Sequence, residues 1–294
     1  MGKKITQLAT ITEVADDDLI VGVDVSDTSG SENGTNKKFT KATLLGGLAP
    51  LNPQLNGWIS FPVGTTCTYV GADDPTYTMY VSGDASSFLS IGMKFECFQS
   101  GMKFFFVTAI GSYDSGNDRT LVTLYGGKDY DLASAEIGLP AYSMVKSPYG
   151  FPMSPAKWKG ISTKTASAGQ SNPTNGTWYN LQTFSITIPI GVWKVVYSVP
   201  IISGRAPAGD LTQLTTLSTA NNSESDANWT VRSYISGVVS YEFRHNKEQV
   251  LALTSKTTMY LNGRLDVTGG TAINIQAGSN DGRTAYISYE CAYL

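Results

Sequence analysis

The second half of the chain is written in period two. "TFSITIPI" sets Phe184, Ile186 and Ile188 on one face, and "VWKVVYSVPI" does the same with Trp193, Val195, Tyr197 and Val199. "VLALTS", "TMYLNG", "AINIQAG" and "TAYISYECAYL" alternate in the same way. Successive side chains of a strand point to opposite sides of a sheet, whereas a helix repeats every 3.6 residues, so no helix accommodates this pattern. Many short alternating runs separated by turn residues predict an all-β protein with a jelly-roll-like β-sandwich head over 161–294.

The same logic divides the rest. Between 57 and 146, "TCTYVGADDPTYTMYVSGD", "GMKFECFQSGMKFFFVTAIG" and "RTLVTLYGG" alternate around Asp-Asp-Pro and Ser-Gly turns, which predicts a small β-rich base module. "LASAEI" beyond it has room for one helical turn. Residues 1–50 carry the strand-like "LIVGVDV", a Gly/Ser/Asn loop, and "KKFTKATLL", extended or a short helix. Few large apolar groups make this an arm without a core of its own, ending at Pro50 and Pro53.

"SPYGFPMSPAKWKG", over 147–160, cannot be helix interior or central strand, because each proline fixes φ and removes a backbone donor. Tyr149, Phe151 and Trp158 are too apolar for a freely solvated tether. It is predicted to be a rigid joint whose rings are covered by the modules on either side.

Composition removes several function classes. Charged residues make up 15% of the chain, against about 25% in ordinary soluble domains. With a net charge of −3 and no Lys/Arg cluster interleaved with aromatics, nucleic acid is not an expected partner. "IPIGVWKVVYSVPII" is interrupted by Lys194 and bracketed by prolines, so no membrane insertion is expected. "MGKKIT" lacks the apolar stretch of a secretory signal. Cys67, Cys97 and Cys291 are an odd number without a CxxC, and read as small buried hydrophobes rather than a disulfide framework or zinc site.

Catalytic and metal chemistry find little support. His245 is the sole histidine and sits in the polar "YEFRHNKE", where a solvent-exposed surface role is expected; a site needing two imidazoles is excluded. No GxSxG, P-loop or GxGxxG occurs. Glycoside hydrolysis needs only two carboxylates, and Asp210, Glu224, Asp226, Glu242, Glu248, Asp266 and Asp281 supply the raw material without a motif. A non-enzyme with no cofactor and no metal site is expected.

"GMKFECFQSGMKFFFVTAIG", followed by "TLVTLYGGKDYDLASAEI" and "KSPYGFPMSPAKW", resembles a module of tailed-bacteriophage and prophage structural proteins that precedes a variable C-terminal domain. "KITQLATITEVADDDLIVGVDVSD" with "KKFTKATLL" resembles the N-terminal attachment segment of phage fibre proteins. The likeness covers roughly residues 1–160. The remainder has only a general similarity to trimeric jelly-roll heads of the complement-C1q and tumour-necrosis-factor type.

What the resemblance implies is a virion protein, made in the bacterial host cytoplasm. It would be a homotrimeric tail or baseplate fibre that joins other virion proteins through its arm and adsorbs to a host-surface glycan or protein. A capsid-attached head fibre or decoration protein, and a surface-polysaccharide hydrolase, remain as alternatives. In the trimer reading, "TAYISYECAYL" keeps Tyr286 and Ala292 on a second face for neighbouring copies, unless both faces are covered within one chain.

Sugars ask for stacking faces and directed acceptors together, which "SGRAPAGD", "NNSESDANW", "YEFRHNKE" and "GSNDGR" combine. The expected receptor-binding residues are Arg205, Asp210, Trp229, Tyr241, Arg244 and Asp281 on outward loops. Trp229 is equally compatible with a strand start in the core.

Overall fold

The computed structural model describes residues 19–24, 29, 35–40, 56–278 and 283–294. It is nearly all β, with strands making up 61% and no α-helix among the described residues. The chain divides into two compact units, Met1–Ile59 and Ser60–Leu294. In the first, β1 (Leu19–Asp24) and β2 (Thr35–Thr40) form an antiparallel ribbon, with Leu19 opposite Thr40 and Asp24 opposite Thr35. The expected boundary at Pro50 and Pro53 lies outside the described residues.

In the second unit the base is one antiparallel sheet. Its strands are β4 (Cys67–Asp73), β5 (Thr76–Ser82), β6 (Lys94–Phe98), β7 (Met102–Asp114), β8 (Arg119–Tyr125) and β9 (Gly138–Ser143), in the order β9-β6-β7-β8-β5-β4. The two-residue β3 (Ile59–Ser60) leads into it, and Phe61 N–H then donates to Pro140 O at 3.1 Å. Period-two alternation puts Met79, Val81, Phe95, Cys97, Phe105 and Val107 into one core. "LASAEI" forms no helical turn. The Gln99 amide bonds the backbone of Ala133 and Ala135 instead, and drops Leu132 and Ile137 into the core as an irregular loop.

The head is an eight-stranded antiparallel system. Its strands are β10 (Lys159–Lys164), β11 (Ala168–Ser171), β12 (Trp178–Ile188), β13 (Gly191–Ser218), β14 (Val231–Leu253), β15 (Thr257–Val267), β16 (Thr271–Ala277) and β17 (Ala285–Cys291). Two strands, β13 and β14, are far longer than the alternation suggested, and each serves both layers of the sandwich. The first half of β13 pairs with β17 and with residues 246–251 of β14; its second half pairs with β15 and with residues 231–235 of β14. Register shifts between Gly204 and Leu211 mark where the hairpin folds over. Bulges are the ordinary device for turning a strand from one sheet to another.

The second face of β17 is partly covered within the chain: Ser288 is buried, Tyr286 half-buried and Ala292 exposed. Cys97 and Cys291 are buried and Cys67 half-buried, all as free thiols. No helix among the described residues is long and apolar enough to cross a membrane.

Candidate functional site

Two places combine unusual geometry with position: the joint between base and head, and the fold-over at the far end of the head. At the joint, Pro155 opens a single helical turn that ends on Trp158, and Trp158 is fully buried. Its Nε1–H donates to Pro152 O at 2.6 Å, satisfying the one polar atom of the indole. Phe151 stacks on it at 5.1 Å and 4°, and Phe106 of the base meets it edge-on at 4.8 Å. Gly127 closes the fit. Its φ is +65°, and a Cβ there would lie 2.5 Å from Lys157 O and 2.9 Å from the indole, so only glycine serves.

Tyr125, the last residue of β8, carries the contact onward. Its ring lies 6.1 Å from that of Trp158 and 4.7 Å from that of Trp193 in the head, which in turn packs against Tyr289 at 5.1 Å. An unbroken line of rings therefore runs from the joint through Tyr125 of the base to the head, each such pair adding about 0.5–1.5 kcal/mol beyond area burial. Lys256 of the head also pairs with Asp73 of the base. Tyr149 departs from expectation: it is exposed, while Phe151 and Trp158 are covered. Gly150, with φ +83°, turns the chain between Tyr149 and Phe151, so that only the latter faces the base.

The fold-over lies at the opposite end. Gly191 lies beside the base, where an added Cβ would stand 3.1 Å from Thr108, and a strand rising about 3.3 Å per residue carries Gly204 roughly 40 Å beyond it. Here the structure corrects two of the four expected receptor loops; "NNSESDANW" does lie between β13 and β14, and "GSNDGR" lies largely outside the described residues. "SGRAPAGD" and "YEFRHNKE" lie in β13 and β14, not in free loops. Arg205 is buried, and its guanidinium donates to the carbonyls of Pro207 (2.9 Å), Asp210, Thr268 (3.3 Å) and Gly269. It clips two turns together and offers no outward donor.

Trp229 is buried as well, at the end of a helical turn capped by Asp226, and its carbonyl accepts from Tyr197 Oη at 2.9 Å. Arg244 is half-buried and donates to Ser198 Oγ at 2.8 Å. Asp210 is half-buried and accepts from Ser236 Oγ at 2.7 Å; hydrogen bonds from Ser236 and Tyr234 hold its carboxyl below the usual range. Tyr241 is exposed, and Asp281 lies outside the described residues. Of the five described residues, the structure brings only Arg205 and Asp210 together.

His245 is likewise not a surface residue. It is 1% exposed, with Nδ1 2.7 Å from Thr215 Oγ1 and Nε2 3.0 Å from Ser233 Oγ. Ser233 continues to Gln213 and Gln213 to Ser203, so a chain of buried polar groups ties the two layers together. Neither nitrogen meets a carboxylate that would stabilise an imidazolium, and burial lowers the His245 pKa from 6.5 to about 4.

Above pH 6.5 the imidazole is neutral folded and unfolded, and contributes no pH dependence. As pH falls from 6.5 towards 4, the unfolded chain takes up a proton that the folded chain refuses. Stability should drop by up to about 3 kcal/mol across that window. Urea unfolding at pH 7.5, 5.5 and 4.0 measures it, and His245→Gln should flatten the slope.

Sequence reasoning missed β14 as an exposed surface. Tyr234, Val239, Phe243 and Val250 are 45–65% exposed on a strand that, among the described residues, pairs only with β13. The alternation that marked β17 is weak here, because β14 buries only His245.

No family model and no curated protein matches the sequence. Among solved structures, the infectious bursal disease virus Gx strain is similar at TM-score 0.30 and 12% identity, over 89% of this chain and 63% of that one. The infectious bursal disease virus VP2 subviral particle gives TM-score 0.25 and 12% identity over 81% and 78%. Dimeric latent PorU from Porphyromonas gingivalis gives TM-score 0.24 and 10% identity over 77% and 24%. The chain spans under two thirds of the length of the Gx strain protein.

Proposed function

We propose that the chain is a non-enzymatic virion structural protein of a tailed bacteriophage, a short homotrimeric tail or baseplate fibre whose head adsorbs to the host surface. The observation that carries this reading is the joint. A base and a head locked by buried rings act as one body, which is what presentation of a distal surface at a fixed distance and direction requires. Preorganisation of this kind lowers the entropic cost of engaging several copies of a receptor at once.

Residues 1–50 dock the protein to other virion proteins after assembly in the host cytoplasm, and the fold-over meets a host glycan or protein. Exposed apolar groups of β14 give additional copies a surface to cover, as patches of this kind do in oligomers. Antibodies to the purified chain, viewed on intact particles by electron microscopy, test the assignment. Label at the tail tip or baseplate is expected. Label on the capsid would replace the tail role with a head-fibre role, and unlabelled particles would remove the protein from the virion.

A further inference from the structure

The outer face of the base sheet holds a small polar pocket whose chemistry the joint and the fold-over do not use. It encloses about 210 Å³ and is lined by Thr66, Thr68, Tyr80, Ser82, Asn117, Asp118 and Arg119. Every one of these side chains carries a hydroxyl, amide or charge. The lining is built by register: Thr68 stands opposite Tyr80 on β4 and β5, and Ser82 opposite Arg119 on β5 and β8. The turn before β8 adds Asn117 and Asp118.

Arg119 is the unusual member. Its guanidinium lies over the Tyr80 ring, 3.8 Å from the centroid, which fixes its plane. It makes no hydrogen bond among the described residues. Its nearest acid, Asp114, stands at 3.7 Å, beyond hydrogen-bond range, and Nε is buried without a partner. Only Nε–H is buried and unpaired; the side chain as a whole is 37% exposed, so the fork keeps N–H groups that a ligand's acceptors can reach.

Charge decides what completes it. Asp114 is held ionised by Asn117 and Gly116, and Asp118 accepts from Tyr113 Oη at 2.6 Å. Two carboxylates beside one guanidinium disfavour an anion and leave acceptors for hydroxyl donors. The pocket is open to solvent on one side, so a ring of sugar size can enter it with part of its surface left in water.

We infer that this pocket binds a neutral hexose unit, with the Arg119 fork and the Asp118 carboxylate gripping its hydroxyls and Thr66, Thr68 and Ser82 completing the ring of partners. The inference stands apart from the fibre assignment, since it concerns the base and not the head tip.

Calorimetric or saturation-transfer titration of the full chain with glucose, galactose, N-acetylglucosamine and inorganic phosphate tests it. Saturable binding of at least one sugar is expected, with Kd on the order of 1 mM as befits a single ring, and no phosphate binding. Arg119→Met and Asp118→Asn should each weaken it at least tenfold with the melting temperature held within a few degrees. Thr68→Val, which preserves shape, should weaken it less. Absence of binding by all three sugars, equal binding in the Arg119 and Asp118 variants, or binding of phosphate in their place would each overturn the inference.

Discussion

Trp158→Ala should lower stability by about 3–5 kcal/mol, the range for removing a large buried aromatic side chain. The indole is fully buried and touches Phe106, Tyr125, Tyr130 and Phe151, so its loss leaves a cavity between base and joint, beside the Tyr125 ring that reaches the head. The larger effect is mechanical. Tyr125 keeps its contact with Trp193, but the segment that holds β10 against the base loses its anchor. Small-angle scattering of Trp158→Ala should show a broader distribution of maximum dimension than wild type. Trp158→Phe, which keeps a ring for Phe151 to stack on, should fall between the two. Unchanged scattering in the alanine variant would mean that the Tyr125–Trp193 contact and the Lys256–Asp73 pair suffice to fix the head. The fibre reading would then no longer depend on the proline-rich segment.

How far the sequence could be read depended on how local each determinant was. The fold class lay in alternation within single strands, and β12, the first half of β13 and β17 bury the faces that their spacing named. The joint was legible because three prolines and three aromatics in one short stretch restrict the chain without reference to anything distant. Its partners were not, because Tyr125 and Trp193 lie 33 and 35 residues from Trp158 and nothing in their neighbourhood marks a shared contact.

Two of the expected receptor loops proved to be strand for a sharper reason. "SGRAPAGD" carries glycines and prolines, the usual signals of a turn. Here those residues serve a bulge within a continuous strand, where glycine admits a guanidinium against the backbone. His245 was misplaced by its neighbours: Arg244, Asn246 and Lys247 made the segment look solvated, but the imidazole is drawn in by hydroxyls distant in sequence, Thr215 and Ser233, which nothing local announces.

Arg205→Ala should therefore read out as a loss of structure before any loss of binding. The guanidinium is the shared partner of carbonyls from two turns, the Pro207–Asp210 bend of β13 and the Thr268–Gly269 turn between β15 and β16. Gly209 and Gly270 frame it so closely that a Cβ at either would lie within 3 Å of its nitrogens. Removing it leaves those carbonyls to water and opens a void between the glycines. Hydrogen bonds to a charged group contribute about 1.5–3 kcal/mol each in buried settings. Partial access to solvent at the end of the head reduces the total, so a loss of roughly 2–4 kcal/mol is expected.

Arg205→Lys should recover only part of it, because an ammonium lacks the planar fork that reaches several carbonyls together. Amide exchange in both variants should accelerate first at 204–211 and 267–271, while the base sheet keeps its protection. If Arg205→Ala instead left stability and exchange unchanged and only weakened adsorption to host cells, the guanidinium would be a contact residue after all, reached by a rearrangement of the fold-over on binding.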